Sequence, residues 1–123
     1  PAQLSEFREP PKGLQLEVIV RKGELIVADR NSGPLAPLPN KAAGYDFDGL
    51  AAYLQRVKMK FPEMTAATIL LESDTPYDTL VQVMDKVRVL EVDNAGQTVQ
   101  AELFPDISIG DAPALDGAVR GGP

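Results

Sequence analysis

The residues best suited to chemistry in this chain are carboxylates. Asp46 and Asp48 stand two apart, Asp74 and Asp78 four apart, and Glu72 lies two before Asp74. A glycosidase would need two such groups facing one cleft, about 5–10 Å apart, with the pKa of one raised. Both pairs also stand where a helix would begin, and there the free N–H groups and the helix dipole favour negative charge. Capping is therefore the role assigned to them, and a small carbohydrate-active enzyme built on Asp74 and Asp78 is the catalytic alternative. Divalent-metal binding would want more oxygens at regular spacing, and no EF-hand pattern is present.

What is missing narrows the classes further. Histidine, cysteine and tryptophan are all absent. Without them there is no imidazole base, no Ser-His-Asp or Cys-His dyad, no thiolate and none of the usual zinc, copper or haem ligand sets. The glycines form neither a G-x-G-x-x-G nor a G-x-x-x-x-G-K-[ST] phosphate cradle. A formal net charge of −6 has the wrong sign for a non-specific binder of nucleic acid or of an anionic membrane. The expectation is a binding or assembly domain rather than an enzyme, with no cofactor, no metal and no nucleic-acid partner.

The 123 residues, 44% hydrophobic and 24% charged, suit one globular domain. A chain of this length buries about two-thirds of its unfolded surface, enough for a core. No apolar run approaches the roughly 18 residues that span a bilayer. Because the chain begins at Pro1 and not at methionine, it is expected to be a piece of a longer protein, whose upstream part could hold a signal or an anchor.

Hydrophobic spacing then gives the elements that must place these groups. Residues 1–13, with Pro10-Pro11, read as a linker. Leu14, Leu16, Val18 and Val20 alternate as a strand, Arg21-Lys22-Gly23-Glu24 turns, and Leu25-Ile26-Val27-Ala28 completes a hairpin. Gly33-Pro34-Leu35-Ala36-Pro37-Leu38-Pro39 reads as an exposed polyproline-like loop, since three prolines remove donors and fix φ. Pro34 and Pro37 make only a generic P-x-x-P. Asp46 or Asp48 opens a helix that runs to about Lys60 on an apolar face of Leu50, Tyr53, Leu54, Val57 and Phe61, and Pro62 stops it.

Thr68-Ile69-Leu70-Leu71 is a short buried strand. A capping box follows, with Thr75 at N-cap, Pro76 at the first helical position and Asp78 as the reciprocal acid. The next helix carries Tyr77, Leu80, Val81, Met84, Val87 and Leu90 or Glu91 along one stripe. Asp93-Asn94-Ala95-Gly96 turns into a last strand over 98–104, with Val99, Ala101 and Leu103 inward. In 106–113 the alternation of Ile107 and Ile109 allows a brief edge pairing, and 112–123 reads as a flexible tail. The order β-β-α-β-α-β predicts a two-layer α+β domain over 14–111, with two helices on one face of a short sheet. Such a sheet commonly completes itself by dimerising.

The stretch Ala67-Thr68-Ile69-Leu70-Leu71-Glu72-Ser73-Asp74-Thr75-Pro76-Tyr77-Asp78-Thr79-Leu80-Val81-Gln82-Val83-Met84-Asp85-Lys86-Val87-Arg88 resembles the ExbD/TolR family of biopolymer-transport proteins. The pattern is a short apolar strand, an acidic or small residue, Asp74, a loop with Pro76-Tyr77, then a helix with Val83-Met84-Asp85. The hairpin at Lys22-Gly23-Glu24, the helix over 48–60 and Leu103-Phe104-Pro105-Asp106-Ile107-Ser108-Ile109-Gly110-Asp111 fit the same layout, so the resemblance covers 14–111.

The resemblance, and not the composition, implies the periplasmic domain of a single-pass inner-membrane stator subunit. In that family the membrane helix precedes the domain and carries an aspartate that takes part in proton flow. Two copies sit within a ring of an ExbB/TolQ-like channel partner, and together they turn proton-motive force into work on a TonB- or TolA-like transducer, or on related motility machinery. The proton-carrying aspartate has no counterpart here. Asp74 matches the family's soluble-domain aspartate and, with Thr75, Pro76 and Asp78, is assigned to the helix cap. Motion of the upstream helix would pass through 1–13 to a folded homodimer, which would change its grip on a partner by adding a strand at an exposed sheet edge. The candidate edge is Val99, Gln100, Ala101, Glu102 and Leu103. The alternative is a dimer that anchors a Tol- or motility-type motor to peptidoglycan.

Overall fold

The structure, a computed structural model, describes residues 7–114. The start of the expected linker and most of the expected tail lie outside the described residues.

The alternating apolar residues form β1, Leu16–Val20, and β2, Glu24–Asp29, as an antiparallel hairpin with Val18 opposite Val27. A third strand, β3, spans Gly33–Pro39 and pairs antiparallel to β2. This corrects the loop expected from its prolines. The amide of Asn40 donates to Gly23 O at 2.9 Å, which fixes the alternation: Ala36 and Leu38 aim their amides at β2, while Pro37 and Pro39 stand where none is needed. One bulge, between Val27 and Ala28, leaves Leu35 as the extra residue, so that Leu35 and Ala36 are both buried despite being consecutive.

Helix α1, Phe47–Lys60, starts at Asp46, whose carboxylate accepts the Gly49 amide at 2.9 Å. A Cβ at position 49 would come within 2.4 Å of that carboxylate, so glycine is required for the cap to close. Its inner face is Leu50, Tyr53, Leu54 and Val57, as the spacing predicts. β4, Ala66–Leu71, runs parallel to β1, and α2, Tyr77–Arg88, follows it. The buried residues of α2 are Val83 and Val87, with Leu80 and Met84 packed beside them. Tyr77 and Val81, assigned to the same stripe from sequence, face solvent at 78% and 36% exposure. The helix also ends earlier than its apolar stripe suggests, because Val89 enters a strand and its amide closes on Asp85 O.

The remaining strands are β5, Val89–Asn94, β6, Gln97–Glu102, and β7, Asp106–Asp111. β7 joins the sheet parallel to β4, giving the order β3-β2-β1-β4-β7. β5 and β6 form a separate antiparallel ribbon. The fold is therefore α+β in two layers, with a mixed five-stranded sheet, two helices and one extra ribbon. The last strand of the sheet is β7 and not the 98–104 segment expected to fill that place.

Val18, Val20, Leu25, Val27 and Ile69 meet Leu50, Leu54, Val57 and Val83 in one core. Tyr53 and Phe104 are its largest fully buried side chains, each worth about 1.5–3 kcal/mol of burial. Residues 7–10, expected to be linker, lie against α1. The Phe7 ring meets Tyr53 edge-on at 5.7 Å, the Tyr53 hydroxyl donates to Arg8 O, and Lys60 Nζ donates to Pro10 O at 2.6 Å. No helix among the described residues is long and apolar enough to cross a membrane.

Candidate partner-binding edges

The carboxylates singled out by spacing do not converge. Asp46 caps α1, and Asp48 lies in its first turn. Asp74 pairs on the surface with Lys22 Nζ at 3.0 Å, and Asp78 accepts from Gln82 Nε2 at 2.8 Å. The expected capping box is absent. α2 begins after Pro76, which sits at N-cap in extended conformation with no side-chain cap bond, while the Thr75 amide closes a turn onto Glu72 O. Proline at that position brings no side-chain acceptor, and Asp74 and Asp78 are engaged elsewhere.

The lysine beside Asp74 holds its carboxyl below the ordinary 3.8, through a hydrogen bond first and charge second. Asp29 is also held low, chiefly by the Gln15 amide at 2.8 Å, with Ser32 adding to it. Both shifts run opposite to what a general acid needs. A cleft of about 760 Å³ opens where β1, β4 and β7 end, and Arg21 and Lys22 are paired in it with Glu72 and Asp74, although the buried Arg21 Nε has no hydrogen-bond partner among the described residues. Arg21 pairs with Glu72 at 3.1 Å and donates to Pro113 O at 2.9 Å, and the Lys22 amide donates to Glu72 at 3.2 Å. These bonds tie three strand ends together.

The other groups with unspent bonding capacity lie on strand edges. In β7 the Asp106 amide donates to Thr65 O and, just past the strand, the Ala112 amide donates to Leu71 O. Alternation then points the N–H and C=O groups of Ile107, Ile109 and Asp111 away from the sheet. Among the described residues nothing pairs with them. Ile109 is 50% exposed.

The opposite edge differs at every point. On β3 the outward positions are Leu35, Pro37 and Pro39, and two of these have no N–H to give. The Leu35 carbonyl already accepts the Arg8 amide at 2.8 Å, and the Arg8 guanidinium reaches Pro34 O at 3.1 Å. Arg8 thus occupies the start of this edge, and beyond it the prolines offer no amide.

The sequence-assigned edge, Val99, Gln100, Ala101, Glu102 and Leu103, lies mostly in β6 and so outside the main sheet. Val99 and Ala101, expected inward, are exposed, whereas Leu103 lies past the strand and is buried. Sequence reasoning did not single out β7 as a binding edge, although the Ile107–Ile109 alternation was its visible trace. No protein-family model matches this chain, and neither does any curated protein or solved structure.

Proposed function

We propose that this chain is the periplasmic domain of a single-pass inner-membrane stator subunit of the ExbD/TolR type, acting by capture of a partner segment rather than by catalysis. In this reading an ExbB/TolQ-like channel partner supplies proton-driven motion, and a TonB- or TolA-like transducer receives it. The motif over 67–88 supports the family, and the observation that supports the mode of action is the open outer edge of β7. An extended segment laid there would gain main-chain bonds from Ile107, Ile109 and Asp111 with no rearrangement of the sheet. A second copy of the chain would compete for the same edge, so dimerisation and transducer capture are alternative uses of one strand.

Ile109→Pro tests this, because it deletes an outward N–H while leaving the bonds to β4 in place. Cross-linking of the membrane-extracted native protein should trap a transducer and a polytopic partner, and the variant should lose the transducer alone. Retained capture by the variant overturns the edge; a protein that never associates with a polytopic membrane partner overturns the stator reading.

A further inference from the structure

The ribbon of β5 and β6 is rooted in the core, against which Leu90 packs. Glu91 and Gln100 share a cleft with Lys86 and Arg88 of α2, and the outer part of the ribbon is exposed. At its base the amides of Leu103 and Phe104 donate to Arg88 O and Val87 O at 2.8 and 3.1 Å, and both side chains are buried. Lys58 Nζ reinforces this root by donating to Leu103 O at 2.7 Å and standing over the Phe104 ring. Beyond the root every residue of β6 is exposed. Alternation gives the ribbon two unlike faces. Leu90, Val92, Val99 and Ala101 share one, and Glu91 and Glu102 lie on the other. Val92 and Val99 stand directly opposite each other, 37% and 38% exposed.

Two strands alone are marginal in water, and a third strand stabilises a ribbon by extending both its ladder and its apolar face. The Leu103 bond sets the phase, so Thr98, Gln100 and Glu102 turn their N–H and C=O groups outward from β6. Charge selects the strand that would add there. From Val89 to Glu102 the ribbon carries Glu91, Asp93 and Glu102 and not one Lys or Arg. A second copy would bring three carboxylates against three, within molecules that each carry a net −6. A basic segment would instead be drawn in and held in register, with its aliphatic residues beside Val99 and its cations beside Glu102.

We propose that the β5–β6 ribbon is a docking arm for an extended cationic segment of a partner protein, one in which basic and aliphatic residues alternate, added as a third strand beside β6. This does not rest on the stator reading, and it concerns a different edge from β7.

Fluorescence anisotropy of a labelled Lys-Val-Lys-Val-Lys-Val-Lys-Val peptide titrated with the full chain tests it. Binding should weaken about tenfold in the Val92→Ser, Val99→Ser double variant, and fall steeply as salt rises from about 50 to about 300 mM. A block isomer, Lys-Lys-Lys-Lys-Val-Val-Val-Val, should bind less well, because charge without alternation cannot match both faces. The neutral Glu91→Gln, Glu102→Gln variant gives an independent reading that leaves the valines in place, and circular dichroism checks the fold of each. Equal binding of the two isomers, or by the wild type and the serine variant, overturns the proposal. So does loss of binding in Ile109→Pro alone, which would place the peptide on β7. A dimer in sedimentation that the serine variant dissolves would give the ribbon to a second copy, and would overturn it too.

Discussion

The two edges of the main sheet are built from strands of similar length and end up with opposite properties. β3 places Pro37 and Pro39 at its outward positions and lets Arg8 take the Leu35 carbonyl. β7 has no proline between Asp106 and Asp111, and leaves every second amide unpaired among the described residues. An exposed edge is a general hazard, since any extended segment can pair with it. Protection on one side and none on the other marks the open side as the one available for use.

The sealed side is the more vulnerable to substitution. Tyr53→Ala removes a fully buried ring that holds Phe7 edge-on and donates to Arg8 O. It should cost about 3–5 kcal/mol in urea unfolding and free residues 7–10 from the β3 edge, seen as faster exchange of the Arg8 amide that donates to Leu35 O. A loss below about 1 kcal/mol would mean that the segment is held by something other than Tyr53.

Asp29, at the turn into β3, comes next. Its carboxylate accepts the amides of Gln15 and Ser32, and its folded pKa lies below the ordinary 3.8. The stabilisation is therefore complete above about pH 4 and lost as the pH falls through the lower folded value. Asp29→Asn should lower stability at neutral pH by about 2 kcal/mol and flatten the acid limb of the Tm profile. A profile identical to that of the wild type would remove Asp29 from the account.

On the open side the same chemistry is spread more thinly. Arg21→Ala breaks a largely buried pair with Glu72 and the bond to Pro113 O, so the end of β7 should loosen at a cost of about 1–3 kcal/mol. Lys22→Ala removes only an exposed pair with Asp74 and should leave the Tm where it is. If both variants melted alike, the distinction between the buried and the exposed staple would fail. A small gain, confined to the ribbon, is expected at its tip. Ala95, with φ of 54°, takes a left-handed place in the two-residue turn beside Gly96. Ala95→Gly should stabilise the ribbon by up to about 1 kcal/mol, read as slower exchange of the Val92 and Val99 amides.

Where a segment obeyed one period and one local rule, the sequence was enough. The β1–β2 hairpin, the inner face of α1 and its stop before Pro62 all follow from alternation, three-four spacing and proline sterics. The errors fall where a local rule met a tertiary partner. Prolines argued for a loop at 33–39, and only the outward phase set by Asn40 and Arg8 turns that loop into an edge strand. Thr75 has the right spacing for a cap, but Asp74 found Lys22 and Asp78 found Gln82, so the box never closed. Leu90 or Glu91 closed a helical stripe on paper, whereas Val89–Asn94 is a strand because Leu103 and Phe104 return to pair with the end of α2. The edge assignment at 99–103 recognised an unpaired strand but not that it lies off the main sheet, since the pairing of β7 with β4 depends on a register that no short stretch displays.

The prolines of β3 also limit how far assembly through this sheet can go. Open-ended growth needs two complementary edges on each unit, one to receive and one to offer. With β3 closed, each molecule is monovalent through its main sheet. Whatever strand β7 accepts, growth through the main sheet ends there, and its five strands cannot propagate edge to edge into a fibre.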